Sequence, residues 1–202
     1  MGFMTSVLAC QGRKVVAVDI FHEYVTFTVN RTGQSPQPAR GVTFGGDVLP
    51  FADQSFETII CLDVIEHVAD DRRLLAELER LLHPHGTLVV TVPALPLLYG
   101  QRDKALGHFR RYNKPQLYER LNEHGFHIDK LDYWNILGVG PYFVAERLLK
   151  RQLSDNIRQG RPTPWRKLVG NGLYRWLLLE QQLRLPFGLT LIALARKPAR
   201  GL

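Results

Sequence analysis

The residues of this chain best suited to chemistry stand at the exits of apolar runs. Asp19 follows VVAV, Asp47 follows a double glycine, and Asp63, Glu66 and His67 follow FETIICL. A carboxylate at a strand end can accept hydrogen bonds from paired ligand hydroxyls, or simply sit in a solvated turn. Asp47 could accept from a ligand amino group beside the Val48 amide, or close an Asx-turn on its own backbone. His67 titrates near neutrality when unperturbed, which makes it a candidate general base. The alternative has Asp63 or Glu66 capping the next helix, with His67 packed at its start. A second polar cluster, GHFRRYN at 107–113, offers His108, Arg110, Arg111 and Tyr112 to a substrate or an anionic group. It could equally be a solvated basic loop anchored by two aromatics. The pairs His83/His85 and His124/His127, with Cys10 and Cys61, lack zinc-like spacing, so no metal centre is expected.

The elements that must position these groups are legible from periodicity. Phe56–Leu62 is an apolar run of strand length with β-branched residues at its centre. Leu74, Leu75, Leu78, Leu81 and Leu82 recur at helical spacing, and Pro84 and Gly86 should stop that helix. Thr87–Val92 is a second strand, too apolar to have a solvent face. Two such strands joined by a helix form a parallel crossover, with ligands expected beyond the carboxyl ends of the strands. Val15–Val18 reads as a strand ending at Asp19. Phe21–Gly41, rich in β-branched residues, glycine and proline, reads as a short helix or irregular turn and then a loop, before a short strand at Val42–Phe44. Lys114–His124 is a predicted helix capped by Asn113 and stopped by Gly125, and Phe126–Tyr133 is a predicted strand. Residues 134–187 form an insertion with two amphipathic helices, near Pro141–Leu153 and Trp165–Leu185. The whole chain, 1–202, is read as one domain.

Four segments, KVVAVDI (14–20), GDVLPFADQSFETIICLDVIEHV (46–68), LLHPHGTLVVTVP (81–93) and LTLIALARKP (189–198), carry a resemblance. In order and spacing the chain resembles the class I S-adenosylmethionine-dependent methyltransferases, in the broad type 11 group that includes the ubiquinone-biosynthesis enzymes. The resemblance implies an α/β, Rossmann-like, doubly wound and mostly parallel sheet with an antiparallel last strand. It implies S-adenosyl-L-methionine as cofactor. Gly2 would correspond to the final glycine of the family's GxGxG loop, so the matching fold is N-terminally incomplete. By the same resemblance Asp19 would meet the ribose, Asp47 and Val48 the adenine, Asp63 the methionine end, and His67 the methyl acceptor. An H-x-R-x-Y stretch such as 108–112 lies over the active site in similar enzymes, which places His108, Arg111 and Tyr112 as substrate contacts. The competing reading is a non-catalytic methyltransferase-like interaction protein that has lost cofactor binding with its loop. A nicotinamide oxidoreductase is disfavoured, because no complete GxGxxG follows a strand and LTLIALARKP suits the extra antiparallel strand.

Composition sets the remaining expectations. At 202 residues, 45% hydrophobic and 22% charged, the chain can bury one sizeable core. Two cysteines make no disulfide framework, which suits a reducing cytoplasm. No apolar run approaches the ~18–20 residues that span a bilayer. The net charge of +7 is uneven: residues 134–202 hold 12 Lys/Arg against Glu146, Asp155 and Glu180. Such a basic, apolar segment suits a lid, a dimer face or an anionic membrane surface, and hence a peripheral location. The expected substrate is a small-molecule acceptor, apolar or lipid-linked. Nucleic acid is not an expected partner, since no base-reading module accompanies the charge. The acceptor's identity and the oligomeric state are not encoded in these motifs.

Overall fold

The computed structural model describes residues 2–46, 48–144, 172, 175–180, 182–183 and 185–199. The chain divides into two compact units, Met1–Pro50 and Phe51–Leu202.

In the first unit, helix α1 (Phe3–Cys10) leads to strand β1 (Val16–Asp19), helix α2 (His22–Arg31) and strand β2 (Arg40–Thr43). The strands pair in parallel, from Val16 opposite Arg40 to Asp19 opposite Thr43. Where the sequence left a short helix or an irregular turn open, the chain forms a helix of 10 residues. Val25 and Thr28 on it are each only 6% exposed, so packing outweighs their modest helix propensity. Gly41 permits that packing: a Cβ there would fall 2.3 Å from Val25 Cγ1. Helix α2 therefore rests directly on the β2 backbone.

The second unit begins with strand β3 (Phe56–Leu62), a short 3-10 turn (Ile65–His67), helix α3 (Asp71–Leu81) and strand β4 (Leu82–Pro93). Helix α4 (Gln101–Ala105), helix α5 (Lys114–Glu123), strand β5 (His127–Trp134), helix α6 (Val139–Phe143) and strand β6 (Thr190–Arg196) follow. The sheet order is β3-β4-β6-β5, with β3 and β4 parallel and β6 antiparallel to both its neighbours. This is the α/β, Rossmann-like arrangement with an antiparallel last strand. Leu75, Leu78, Leu88, Val90, Val92, Leu117, Leu121, Phe126 and Leu191 form one continuous core. None of Thr87–Pro93 is exposed, as their composition implied. Strand β3 differs: it stands at the sheet edge, and Glu57, Thr58 and Leu62 on it are exposed.

Asn113 caps α5 as expected, accepting from the Gln116 amide at 2.9 Å while the Gln116 side chain accepts from the Asn113 amide at 3.1 Å. Helix α3 is capped by Asp70, which accepts from the Arg73 amide at 3.1 Å, and not by Asp63 or Glu66. Helix α3 ends at Leu81, before Pro84 and Gly86 as expected, but these two lie within β4, because the helix passes into the strand at Leu82 without a loop. Of the expected insertion helices, the first is seen only where α6 covers residues 141–143, and the second only at helical residues 172 and 175–180, with 182–183 already in a turn. Residues 145–153, 165–171, 173–174, 181 and 184 of those ranges lie outside the described residues. Among the described residues no helix is long and apolar enough to cross a membrane.

Candidate functional site

The first unit contributes a strand-end carboxylate and a helix start. Asp19 closes β1, and its Oδ1 accepts from the Phe21 amide at 3.0 Å. The other carboxylate oxygen has no partner among the described residues. Gly2 precedes α1 in the left-handed region, with φ 66°, and no side chain caps the helix. The first intrahelical amide bond runs from Ser6 to the Gly2 carbonyl, so the amides before it remain available as donors. A second acceptor and a row of free donors suit a ligand bearing hydroxyls and a carboxylate. Val48 is exposed, and Asp47 lies outside the described residues.

The second unit assembles the polar groups from three segments. At the end of β3, Asp63 takes φ 52°, a left-handed conformation that aspartate tolerates better than most side chains. Thr91 of β4 fixes it there. The Asp63 amide donates to the Thr91 carbonyl at 3.0 Å, and the Thr91 hydroxyl donates to Asp63 Oδ1 at 3.0 Å. The 3-10 turn then plunges Ile65 into the core and carries Glu66 with it, both with no exposed surface. His67 emerges exposed.

The loop after β4 returns to this turn. Tyr112 donates its amide to the Pro93 carbonyl, and Leu95 donates to the Tyr112 carbonyl, both at 3.0 Å. Phe109 donates to the Glu66 carbonyl at 2.8 Å. These ties place the His108 ring 4.6 Å from the His67 ring, edge to face. Asp103, buried at the start of α4, organises the loop. It accepts from His108 Nδ1 at 2.9 Å, from Arg111 Nε at 2.8 and 2.9 Å, and from the Gly100 amide at 3.0 Å. Arg111 also donates to the Ala94 carbonyl at 3.1 Å and to the Tyr142 hydroxyl. Tyr112, only 2% exposed, donates to Asp71 Oδ2 at 2.8 Å.

Of the three predicted substrate contacts, His108 thus lies beside His67. Arg111 and Tyr112 have their polar atoms engaged inside the protein and hold the loop in place. Asp103 escaped the sequence reading because an isolated acid in QRDKAL carries no pattern; only the fold brings it to His108 and Arg111.

Electrostatics separate these groups sharply. Burial pushes the Glu66 carboxyl up to about 8, Asp63 and Asp103 add to the rise, and its own amide and Arg111 offset only part of it. Burial, followed by the neighbouring His108, draws the His67 imidazole below its ordinary value. It is therefore neutral at neutral pH and able to accept a proton. Burial, Glu66 and Asp63 push the Cys61 thiol up to about 12, so it is a core thiol and not a nucleophile. Burial alone would raise the Asp103 carboxyl, but the hydrogen bonds and charge of Arg111, with His108 and the Gly100 amide, hold it below its usual range.

Residues 1–90 match the protein family described as a methyltransferase domain. Over 127 residues the chain is 28% identical to a protein of Mycobacterium tuberculosis named as a probable S-adenosylmethionine-dependent methyltransferase, covering 62% of this chain and 45% of that protein. The chain therefore spans a little under half the length of such relatives. Among solved structures, a SAM-dependent methyltransferase from Methanosarcina mazei superposes with a TM-score of 0.60 at 16% identity, over 96% of this chain and 86% of that one. A phosphoethanolamine N-methyltransferase of Haemonchus contortus, solved in complex with S-adenosyl-L-methionine, gives a TM-score of 0.61 at 16% identity, over 95% of this chain and 45% of that one.

Proposed function

We propose that this chain acts as a class I S-adenosylmethionine-dependent methyltransferase and takes part in methyl transfer from S-adenosylmethionine to a small acceptor. The observation that carries the reading is the methyltransferase-domain match across residues 1–90, which includes Gly2, Asp19 and Asp63. The donor set fits the cofactor. Asp19 has an oxygen to spare for ribose hydroxyls, and the free amides after Gly2 suit a carboxylate. By the family resemblance, Asp47 and Val48 in the first unit and Asp63 in the second are each assigned to the cofactor as well. When bound, the cofactor supplies a methyl group on a cationic sulfur, activated toward a nucleophile.

This chain's own part is to bind, orient and manage a proton. Thr91 holds Asp63 in a single arrangement, so its carboxylate needs no reordering when a ligand arrives. His67, neutral and exposed, can take a proton from an acceptor hydroxyl at a ring nitrogen. His108 stands beside it, oriented by Asp103. Arg111 and Tyr112 act at one remove, by fixing the loop that presents His108.

Calorimetric titration with S-adenosylmethionine tests this directly. Saturable binding is expected, weakened about tenfold or more in Asp19→Ala through loss of a charge-assisted hydrogen-bond acceptor. No binding to a cooperatively folded chain would refute cofactor use.

A finer proposal concerns the acceptor. The excess of basic residues in 134–202 favours an apolar or lipid-linked molecule presented at an anionic surface. Pelleting with vesicles of phosphatidylserine and phosphatidylcholine should retain the protein at low salt and release it as salt rises. Recovery wholly in the supernatant at low salt would remove the lipid element.

A further inference from the structure

We propose that Glu66, His67 and His108 form a binding site for one divalent transition-metal ion, with Asp103 orienting His108 from behind. Sequence spacing gave no reason to expect a metal, since His67 and His108 are far apart in the chain. The fold brings them together: one ligand atom from each of the three residues lies within 4.8 Å of the others. Metal bonds of about 2.0–2.2 Å would draw these atoms to within roughly 3–4 Å of one another. His67 is exposed and can rotate to close that difference, whereas Glu66 and His108 are held by their surroundings.

Two further observations point to a cation. Glu66 has no exposed surface, and among the described residues neither of its carboxylate oxygens has a hydrogen-bonding partner. Buried carboxylates are as a rule paired, hydrogen-bonded or bound to metal, so an orphan aimed at two imidazoles needs explaining. His108 carries the usual outer support of a metal-binding histidine. Its Nδ1 meets Asp103 Oδ1 at 2.9 Å, which leaves Nε2 as the ligating atom. Asp103 is itself held by Arg111, so the support is rigid.

The donor chemistry selects the ion. Two imidazoles and one carboxylate favour zinc, cobalt or iron(II) over magnesium or calcium, which prefer oxygen alone. Three protein ligands leave at least one position for an exogenous oxygen. If the methyl-transfer reading holds, that oxygen would belong to the acceptor, whose acidity the ion would raise. The site itself rests only on the side chains and stands apart from that reading.

The test is titration of untagged, chelator-treated protein with Co2+, following its visible d–d absorption, with Zn2+ competition by calorimetry. One equivalent should bind saturably, with bands of a mixed nitrogen and oxygen site that Zn2+ abolishes. His67→Ala and Glu66→Gln should each weaken binding by about 100-fold or more. Asp103→Asn should weaken it about 10–100-fold while keeping the one-to-one stoichiometry. His67 is exposed, so His67→Ala should unfold like the parent and serve as the variant free of folding artefacts. Absence of saturable Co2+ binding in a cooperatively folded parent would overturn the proposal. So would binding that survives unchanged in both His67→Ala and Glu66→Gln, since the ion would then sit elsewhere. Titration with S-adenosylmethionine on the same metal-free protein reports on the methyltransferase reading independently.

Discussion

Arg111→Met should destabilise the protein by about 3–5 kcal/mol, because it strands a buried carboxylate. The Asp103 and Arg111 side chains are 1% and 5% exposed, so water cannot replace the lost partner. For a chain of this size the loss should lower Tm by on the order of 10 °C. The effect has a pH signature. In the parent, Arg111 holds the Asp103 carboxyl below its usual range against the upward push of burial. A depressed carboxyl contributes stability that is present above its unfolded pKa, near 4, and is lost as the pH falls through the folded value. The gap between parent and variant should therefore be widest near neutrality and narrow in acid, where Asp103 is neutral in both. Urea unfolding at several pH values measures it. A gap independent of pH would mean that lost packing, not lost charge, dominates. Asp103→Leu combined with Arg111→Met should recover much of the loss, since a buried pair removed whole is far cheaper than a pair broken.

That buried pair also marks the boundary of what the sequence made legible. The strands and α3 announced themselves through unbroken apolar runs and leucine spacing, because burial on both sides of a sheet leaves little room for polar residues. The Asn113 cap was legible because its chemistry is local, completed within three residues. Helix α2 was legible only as one of two readings, a short helix or an irregular turn, because Val25 packs on β2 and Thr28 beside Gly2, contacts beyond any local window. The edge position of β3 was hidden too, as FETIICL has the composition of a central strand. At the candidate site, strand-end placement drew attention to Asp63 and His67, which the fold sets at the end of β3 and in the 3-10 turn after it. The roles of Asp103, Arg111 and Tyr112 depend on contacts between distant segments, and residue type alone left the last two between substrate contact and a basic loop anchored by its aromatics. Glu66 was the subtlest case. In sequence it looks like a helix-capping acid, yet the cap is Asp70, and Glu66 is left inside with no partner among the described residues.

Glu66→Gln should make the chelator-treated protein more stable at pH 8, by on the order of 4 kcal/mol. Burial raises this carboxyl from 4.5 to about 8, so the folded state keeps a proton that the unfolded chain has already lost. Between those values unfolding releases that proton, and stability falls by about 1.4 kcal/mol per pH unit. The sign is opposite to that of Asp103: Glu66 costs nothing below about pH 4 and progressively more as the pH rises. Glutamine keeps the shape without the ionisable group, so the variant should lose this slope and diverge from the parent above about pH 5. Its amide still needs hydrogen bonds, which sets a small penalty at low pH where the parent's carboxyl is neutral. The two stability curves should therefore cross in the acid range. If Glu66→Gln is destabilised equally at pH 4 and pH 8, then Glu66 is not the buried, unpartnered acid that this fold makes it.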